Sequence, residues 1–417
     1  MRNVLMLGIV GCLLIGCDGV NTVKSMPMPA AKLNVDAAKL PNTLVTPVLD
    51  APIPDGVNVI WCASFQLAWD ELPGVTISEP MFASLNRPVV TKADVNDADV
   101  VACAGSDGQS LKRKVRRELA AKFGEGAATP LLEQWQPSPG VSFYAYMRMS
   151  MPFEYAFDSH SFQLEKPKQI PADSAEFAGP HYEQFGIPPY TISPSRLAKM
   201  RQQVRIIWHQ FVRNESGRTQ HFVVELKTRS RDYRLLLAAV PAHRTLEQAI
   251  DDVRDKLSHP NDVTLAEFDV KSKAITDDAS TQGKQKHQEP DALVSRLAEL
   301  RELELFEVPV LDFDLKKRYD ELVGQWTSAG PIVEAMQRIR FKLDRTGATL
   351  ESDGSIQVFG SRKREFVFRP PYLVLIVSAK TSKPILACWI GNAELLTPEQ
   401  PAAEKEPAQR LFPDPAP

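Results

Sequence analysis

The sequence predicts an α+β fold built on large, mainly antiparallel sheets. Three observations carry this. Near the C-terminus, "FVFRPPYLVLIVS" and "KPILACWIG" are apolar runs joined by the turn "AKTSK", a strand hairpin. Upstream, "HFVVELK" (221–227) and "YRLLLAAVP" (233–241) read as two more strands joined by a polar turn. Helical spacing interrupts these strands, as in "TLEQAIDDVRDKL" (245–257), where Thr245 stands as a cap.

The remaining elements follow in chain order. In "NVIWCASFQLAWDEL" (58–72), Asn58 is a plausible cap, and Trp61, Phe65, Ala68, Trp69 and Leu72 fall on one helical face. "SLKRKVRRELAAKF" (110–123) is helical and basic. "VSFYAYMRMSM" (141–151) has β propensity and few breakers, which predicts a buried strand. "LVSRLAELRELEL" (293–305) reads as helix and "FEVPVLDFDL" (306–315) as strand. After them "KKRYDELVGQW" predicts a short helix and "AMQRIRFKLD" a strand.

With 417 residues and 43% hydrophobic composition, the chain can bury a substantial core. A net charge of −3 gives no global attraction to nucleic acid. The cluster Lys112, Arg113, Lys114, Arg116 and Arg117 reads as a solvated helix face. No nucleophile elbow, zinc-protease motif, phosphate loop or dinucleotide fingerprint occurs. Two carboxylate pairs are candidates for acid–base work. Asp251-Asp252 falls on a helix, as cap or solvated face, and Asp312/Asp314 alternate on a strand and are expected to face solvent. The sequence therefore predicts no enzyme, no catalytic residue, no cofactor and no metal site.

The first seventeen residues, "MRNVLMLGIVGCLLIGC", have the shape of a signal peptide: Arg2, a short apolar run, then small residues. "LIGC" is similar to a bacterial lipobox, which implies cleavage after residue 16 and a lipid on Cys17. An extracytoplasmic, membrane-anchored protein is expected on that basis. Residues 17–56 are rich in proline and predict a tether. A main domain over 57–396 follows, with insertion-like stretches at 166–194 and 271–291, and a loose tail at 397–417. Cys62, Cys103 and Cys388 remain; a Cys62–Cys103 bridge and buried thiols are both open.

The order of these pieces resembles the serpin family. "FRPPYLVLIVSAKTSKPILACWIGN" resembles the family's C-terminal strands, which implies buried central positions in its second sheet. "VPVLDFDLKKRYDEL" resembles a serpin strand that leads into a short helix, and "AMQRIRFKLDRTG" resembles the strand that runs into the reactive-loop hinge, with Asp344 and Gly347 at matching positions. "FVVELKTRSRDYRLLLAAVPAHRTLEQ" and "YAYMRMSMPFEYAF" resemble further serpin strands, and "NVIWCASFQLAWDEL" takes the place of the early helix. There, Cys62-Ala63 stand where the family has Ser-Pro. The resemblance implies a serpin-like single domain with an exposed reactive-loop equivalent.

In inhibitory serpins, a protease cuts that loop, and the loop then inserts as a new strand of the main sheet. Here the hinge residues would be Asp344, Arg345, Gly347, Ala348 and Leu350. Ala348, Leu350, Ser352 and Gly354 alternate with polar residues, as an inserting strand needs. Against insertion, Arg345 reverses the family's acidic charge. Leu350 is bulky for a tight slot, a cost of about 1–3 kcal/mol. "SDGS" is a turn signal that favours a local hairpin. Arg362, Lys363 and Arg364 suit a trypsin-like pocket, and exposure is expected over 348–365. The reading preferred from sequence is a tethered, non-inhibitory binding module. Two alternatives are a suicide inhibitor of an Arg- or Lys-directed protease and an envelope scaffold. The partners expected are accordingly a trypsin-like protease or another envelope protein, and the membrane through Cys17.

Overall fold

A computed structural model describes residues 33–72, 74–125, 128, 132, 135, 140–163, 180–187, 193–214, 217–271, 291–302, 304–347 and 364–399. The architecture is α+β, as the sequence predicts, with three sheets among the described residues.

The first sheet has the order β1 (Leu33–Asp36), β12 (Leu311–Arg318), β14 (Gly330–Leu343), β5 (Val141–Met147) and β4 (Val100–Gly105). A two-residue strand, β13 (Trp326–Thr327), pairs with the start of β14. The second sheet runs β2 (Thr43–Thr46), β3 (Asn58–Cys62), β17 (Pro384–Ile390), β16 (Tyr372–Ser378), β10 (Tyr233–Ala239), β9 (Gly217–Leu226) and β8 (Val204–Asn214). The third runs β15 (Glu365–Val367), β11 (Leu305–Pro309), β7 (His181–Ile187) and β6 (Asp158–Gln163). Pairing is mainly antiparallel, with parallel contacts at β1–β12, β14–β5, β2–β3 and β11–β15. The closing hairpin β16–β17 takes interior positions, so its strands are buried on both faces and read as continuous apolar runs.

The main core lies between the first two sheets, where Phe313, Ile339 and Leu343 meet Val374, Ile376 and Leu386. Helix α1 (Ala63–Trp69) is wholly buried, with Trp69 stacked on Phe143 at 4.9 Å. Helix α2 (Gly108–Phe123) packs Leu111, Val115 and Leu119 on Tyr144 and Tyr146, so β5 is covered on both faces. Its N-cap Asp107 accepts from the Gln109 N–H at 3.2 Å, and Gly124 ends it at φ +86°. Two more helices follow, α3 (Pro194–Gln202) and α4 (Leu246–Ser258). α4 buries Leu246, Ala249, Ile250 and Val253, the face its sequence spacing predicts, and Thr245 caps it. Among the described residues, no helix is long and apolar enough to cross a membrane.

Several expectations need correction. Residues 58–62 are strand β3, and the helix begins only at Ala63. A short, continuous apolar run fits both periods, and here the flanking strands β2 and β17 satisfy its backbone. The expected tether is partly folded: β1 completes an edge of the first sheet and β2 an edge of the second. The stretch 166–194 includes β7, an interior strand of the third sheet. Of the expected loose tail, 397–399 are described residues, and Thr397 is buried, its N–H donating to the Val310 carbonyl at 3.0 Å.

The helix expected over 293–305 stops early: α5 covers Asp291–Ser295. Beyond it, the Ala298 N–H turns to the Val263 carbonyl at 2.9 Å. "KKRYDELVGQW" is not a helix either. β12 continues to Arg318 opposite Met336, the Tyr319 N–H bonds the Ala335 carbonyl, and tight turns end at Gly324 with φ +87°. Cys62, Cys103 and Cys388 are free, buried thiols. Cys103 belongs to the α2 side of the first sheet and Cys62 to the main core, so a bridge between them does not form. Cys17 and residues 272–290 lie outside the described residues.

Candidate functional site

The candidate site is the base of the loop that follows β14. "LDRTG" makes a tight turn there. The Asp344 N–H donates to the Gly347 carbonyl at 2.8 Å, and the Gly347 N–H to the Asp344 carbonyl at 3.2 Å. Asp344 Oδ1 accepts from both the backbone N–H and the hydroxyl of Thr346, each at 2.8 Å. This is the local bonding that makes Asp a turn former. Gly347 has φ +107°, and a Cβ there would stand 2.5 Å from Phe153 N and Pro152 Cα. Only glycine fits that conformation and that approach.

The turn is docked on a neighbouring segment. The Phe153 N–H donates to the Thr346 carbonyl at 2.9 Å, and the Phe157 N–H to the Arg345 carbonyl at 2.8 Å. Phe157 is itself buried between Phe153, Phe185 and Phe306. Three expected hinge residues, Asp344, Arg345 and Gly347, are thereby brought together with residues 151–157. Ala348 and Leu350 lie outside the described residues.

Below the turn, β14 and β5 pair in parallel from Ile332–Val141 to Ile339–Met147, and the pairing ends there. Past that point a largely apolar groove opens between Met147, Met149, Ile339 and Phe341, with a cavity of about 30 Å³. Charges run along β12 and β14 beside it. Arg340 donates to Asp312 at 2.6 Å, Arg338 to Asp314 at 2.6 Å, and Lys342 lies 3.2 Å from Asp344. Asp312 and Asp314 are buried, which corrects their expected solvent-facing position. Arg338, Arg340 and Lys342 recur at every second residue of β14, so the neighbouring strand supplies the cations that make this burial tolerable. Burial lowers the Arg338 pKa, yet the Asp314 carboxylate outweighs it and holds the guanidinium above its ordinary value. These aspartates are structural ion-pair partners.

The other end of the loop is anchored more firmly. Arg364 is fully buried, where exposure was expected. Its guanidinium donates to both Glu304 oxygens, at 2.8 and 2.9 Å. It also donates to the carbonyls of Val294, Leu297 and Glu299 at 3.2, 2.7 and 2.7 Å. Leu297 would spend its carbonyl on Arg301 in a continuous helix; here the Arg301 N–H goes instead to Glu304 Oε2 at 2.8 Å. Burial raises the Glu304 pKa, but Arg364 and Arg301 outweigh it and lower the carboxyl below its usual range. Directly after Arg364, the Glu365 N–H donates to Gln220 at 3.1 Å, and β15 pairs with β11. Arg364 therefore cannot serve as a protease-recognition residue in this fold. Arg362 and Lys363 lie outside the described residues.

Glu304 is not singled out by the sequence, and "YAYMRMSMPFEYAF" reads there as a strand, with nothing to mark residues 151–157 as the dock of the hinge. "RELEL" offers several equivalent acidic residues in an apparent helix, and nothing local marks Glu304.

No protein-family profile matches the chain. No curated protein matches it either. Among solved structures, the chain is similar to several serpins. One is Serpin48 of the insect Tenebrio molitor, with 7% identity and a TM-score of 0.38, covering 82% of this chain and 92% of that one. A second is human kallistatin, with 8% identity, a TM-score of 0.39, and coverage of 81% and 92%. A third is protease nexin-1 crystallised with heparin, with 9% identity, a TM-score of 0.39, and coverage of 80% and 92%.

Proposed function

We propose that this chain is a membrane-tethered, serpin-like binding module that does not act as a suicide inhibitor. The observation that carries this reading is the docked hinge. In the inhibitory mechanism, the chain from Asp344 onward must leave its turn and zip between β14 and β5. Four backbone hydrogen bonds of the turn and its dock would break, at about 0.5–1.5 kcal/mol each. The parallel pairing of β14 with β5 must part as well. Insertion has to outrun deacylation, so a barrier of about 2–6 kcal/mol at the first step favours hydrolysis of the loop over trapping. The tether rests on "LIGC" and Cys17, and it would hold the body close to a membrane.

One observation favours the second reading, an inhibitor of an Arg- or Lys-directed protease. The groove above Ile339 is a place where β14 and β5 have already separated. Thermal unfolding of the lipid-free protein decides between them. It is measured intact and after a trypsin cut mapped to Arg362 or Lys363. An unchanged or lower midpoint is expected. A rise of tens of degrees after cutting means the loop inserts, and it overturns the binding-module reading. Partner capture that survives replacement of Arg362 and Lys363 is the matching positive result. Release of the protein from the membrane fraction by Cys17→Ala tests the anchor.

A further inference from the structure

We propose that the groove beneath the hinge is a sulfur site for a soft monovalent metal ion, Cu(I). The segment "MRMSM" places Met147, Met149 and Met151 at every second residue, and all three line the same groove. Cys62, at the end of β3, lines it too. Its Sγ lies 3.7 Å from Met147 Sδ. Two metal–sulfur bonds of about 2.3 Å meeting near the tetrahedral angle span about 3.8 Å, so one ion bridges this pair with little movement.

The donor set decides which ion. Thioether and thiolate sulfur are soft ligands that select Cu(I). No imidazole or carboxylate lines the groove. Among the described residues, no group of three or more His, Cys, Asp or Glu side chains is placed to hold a harder metal. Charge points the same way. Arg340 and Lys342 flank the groove, and their charges are matched by Asp312 and Asp344. Binding of Cu(I) breaks the Cys62 S–H bond, forms Cu–S, and releases one proton to solvent. One monovalent cation replaces one proton, and the net charge of the groove is unchanged. A divalent ion would add an unmatched positive charge beside two buried cations.

The test is anaerobic titration of the full chain with Cu(I) in the presence of bicinchoninate, a coloured competing chelator. The protein is expected to withdraw one equivalent. Met149→Leu with Met151→Leu, which nearly preserves volume, should weaken binding at least tenfold, and Cys62→Ser should weaken it at least as much. Cys103→Ser should change nothing, and Zn(II) should not compete. Failure to withdraw Cu(I) overturns the proposal. So does unchanged affinity in the double methionine variant, which would place the copper elsewhere, for example on Met26 and Met28. Circular dichroism checks that each variant is folded; if Cys62→Ser is not, the methionine variant decides alone.

Discussion

Replacing Arg364 by Met removes a buried guanidinium while keeping most of its volume. The side chain makes five hydrogen bonds, two of them to Glu304. Breaking a buried pair by removing one partner costs about 3–5 kcal/mol, because the other charge is left without compensation. Glu304 keeps Arg301, whose Nε donates at 2.9 Å and whose backbone N–H donates at 2.8 Å, so the lower part of that range applies to the carboxylate. The carbonyls of Leu297 and Glu299 lose short bonds as well, about 1 kcal/mol each. The expected loss is therefore about 5 kcal/mol, a large share of a typical domain's stability. Urea unfolding, with reversibility established first, reads it as a lower midpoint at constant slope. The double variant with Glu304→Gln should recover part of the loss, since it removes the stranded charge. Limited trypsin digestion gives a second reading: cuts after Arg362 or Lys363 are expected, and none after Arg364. A loss below about 1 kcal/mol, or efficient cleavage after Arg364, would refute the anchoring role.

Gly347→Ala should cost about 1–3 kcal/mol, from the strained φ and the approach to Pro152 and Phe153. It should also speed amide exchange at Phe153 and Phe157 more than elsewhere in the sheet; uniform protection would count against the dock. Asp94 should make stability depend on acid pH. Burial raises its pKa, but the Thr91 N–H, Thr381 and Lys383 outweigh it and bring it from 3.8 to about 2. A depressed carboxyl contributes stability above its unfolded pKa and loses it as pH falls through the folded one. The contribution is thus complete above about pH 5 and fades between about pH 4 and 2. Asp94→Asn should flatten that part of the urea-midpoint profile, and an unaltered profile would assign the effect to other groups.

Much of the fold was legible because it is locally encoded. α4 announces itself by Thr245 and an apolar face at helical spacing, and β16 and β17 by runs too apolar for any surface. The hinge was legible in part, since the resemblance places Asp344 and Gly347 in it, but the tight turn they make is seen only in the structure. Residues 58–62 were not, because a five-residue apolar run has no period of its own. The strand ends of the first sheet misled for another reason. Lys, Arg and Asp look solvated in one dimension, and only the pairing of β12 with β14 shows that their charges cancel.

By itself, then, the sequence determined the α+β class, the closing hairpin and helix α4 with its Thr245 cap. Each follows from residues close together in the chain. Tertiary structure alone decided that Arg364 is an anchor and not a bait, through a carboxylate sixty residues away. It alone decided that Cys62 meets Met147, across a separation of 85 residues. Contacts over such distances depend on sheet order and register, and no local pattern of polarity or spacing records either.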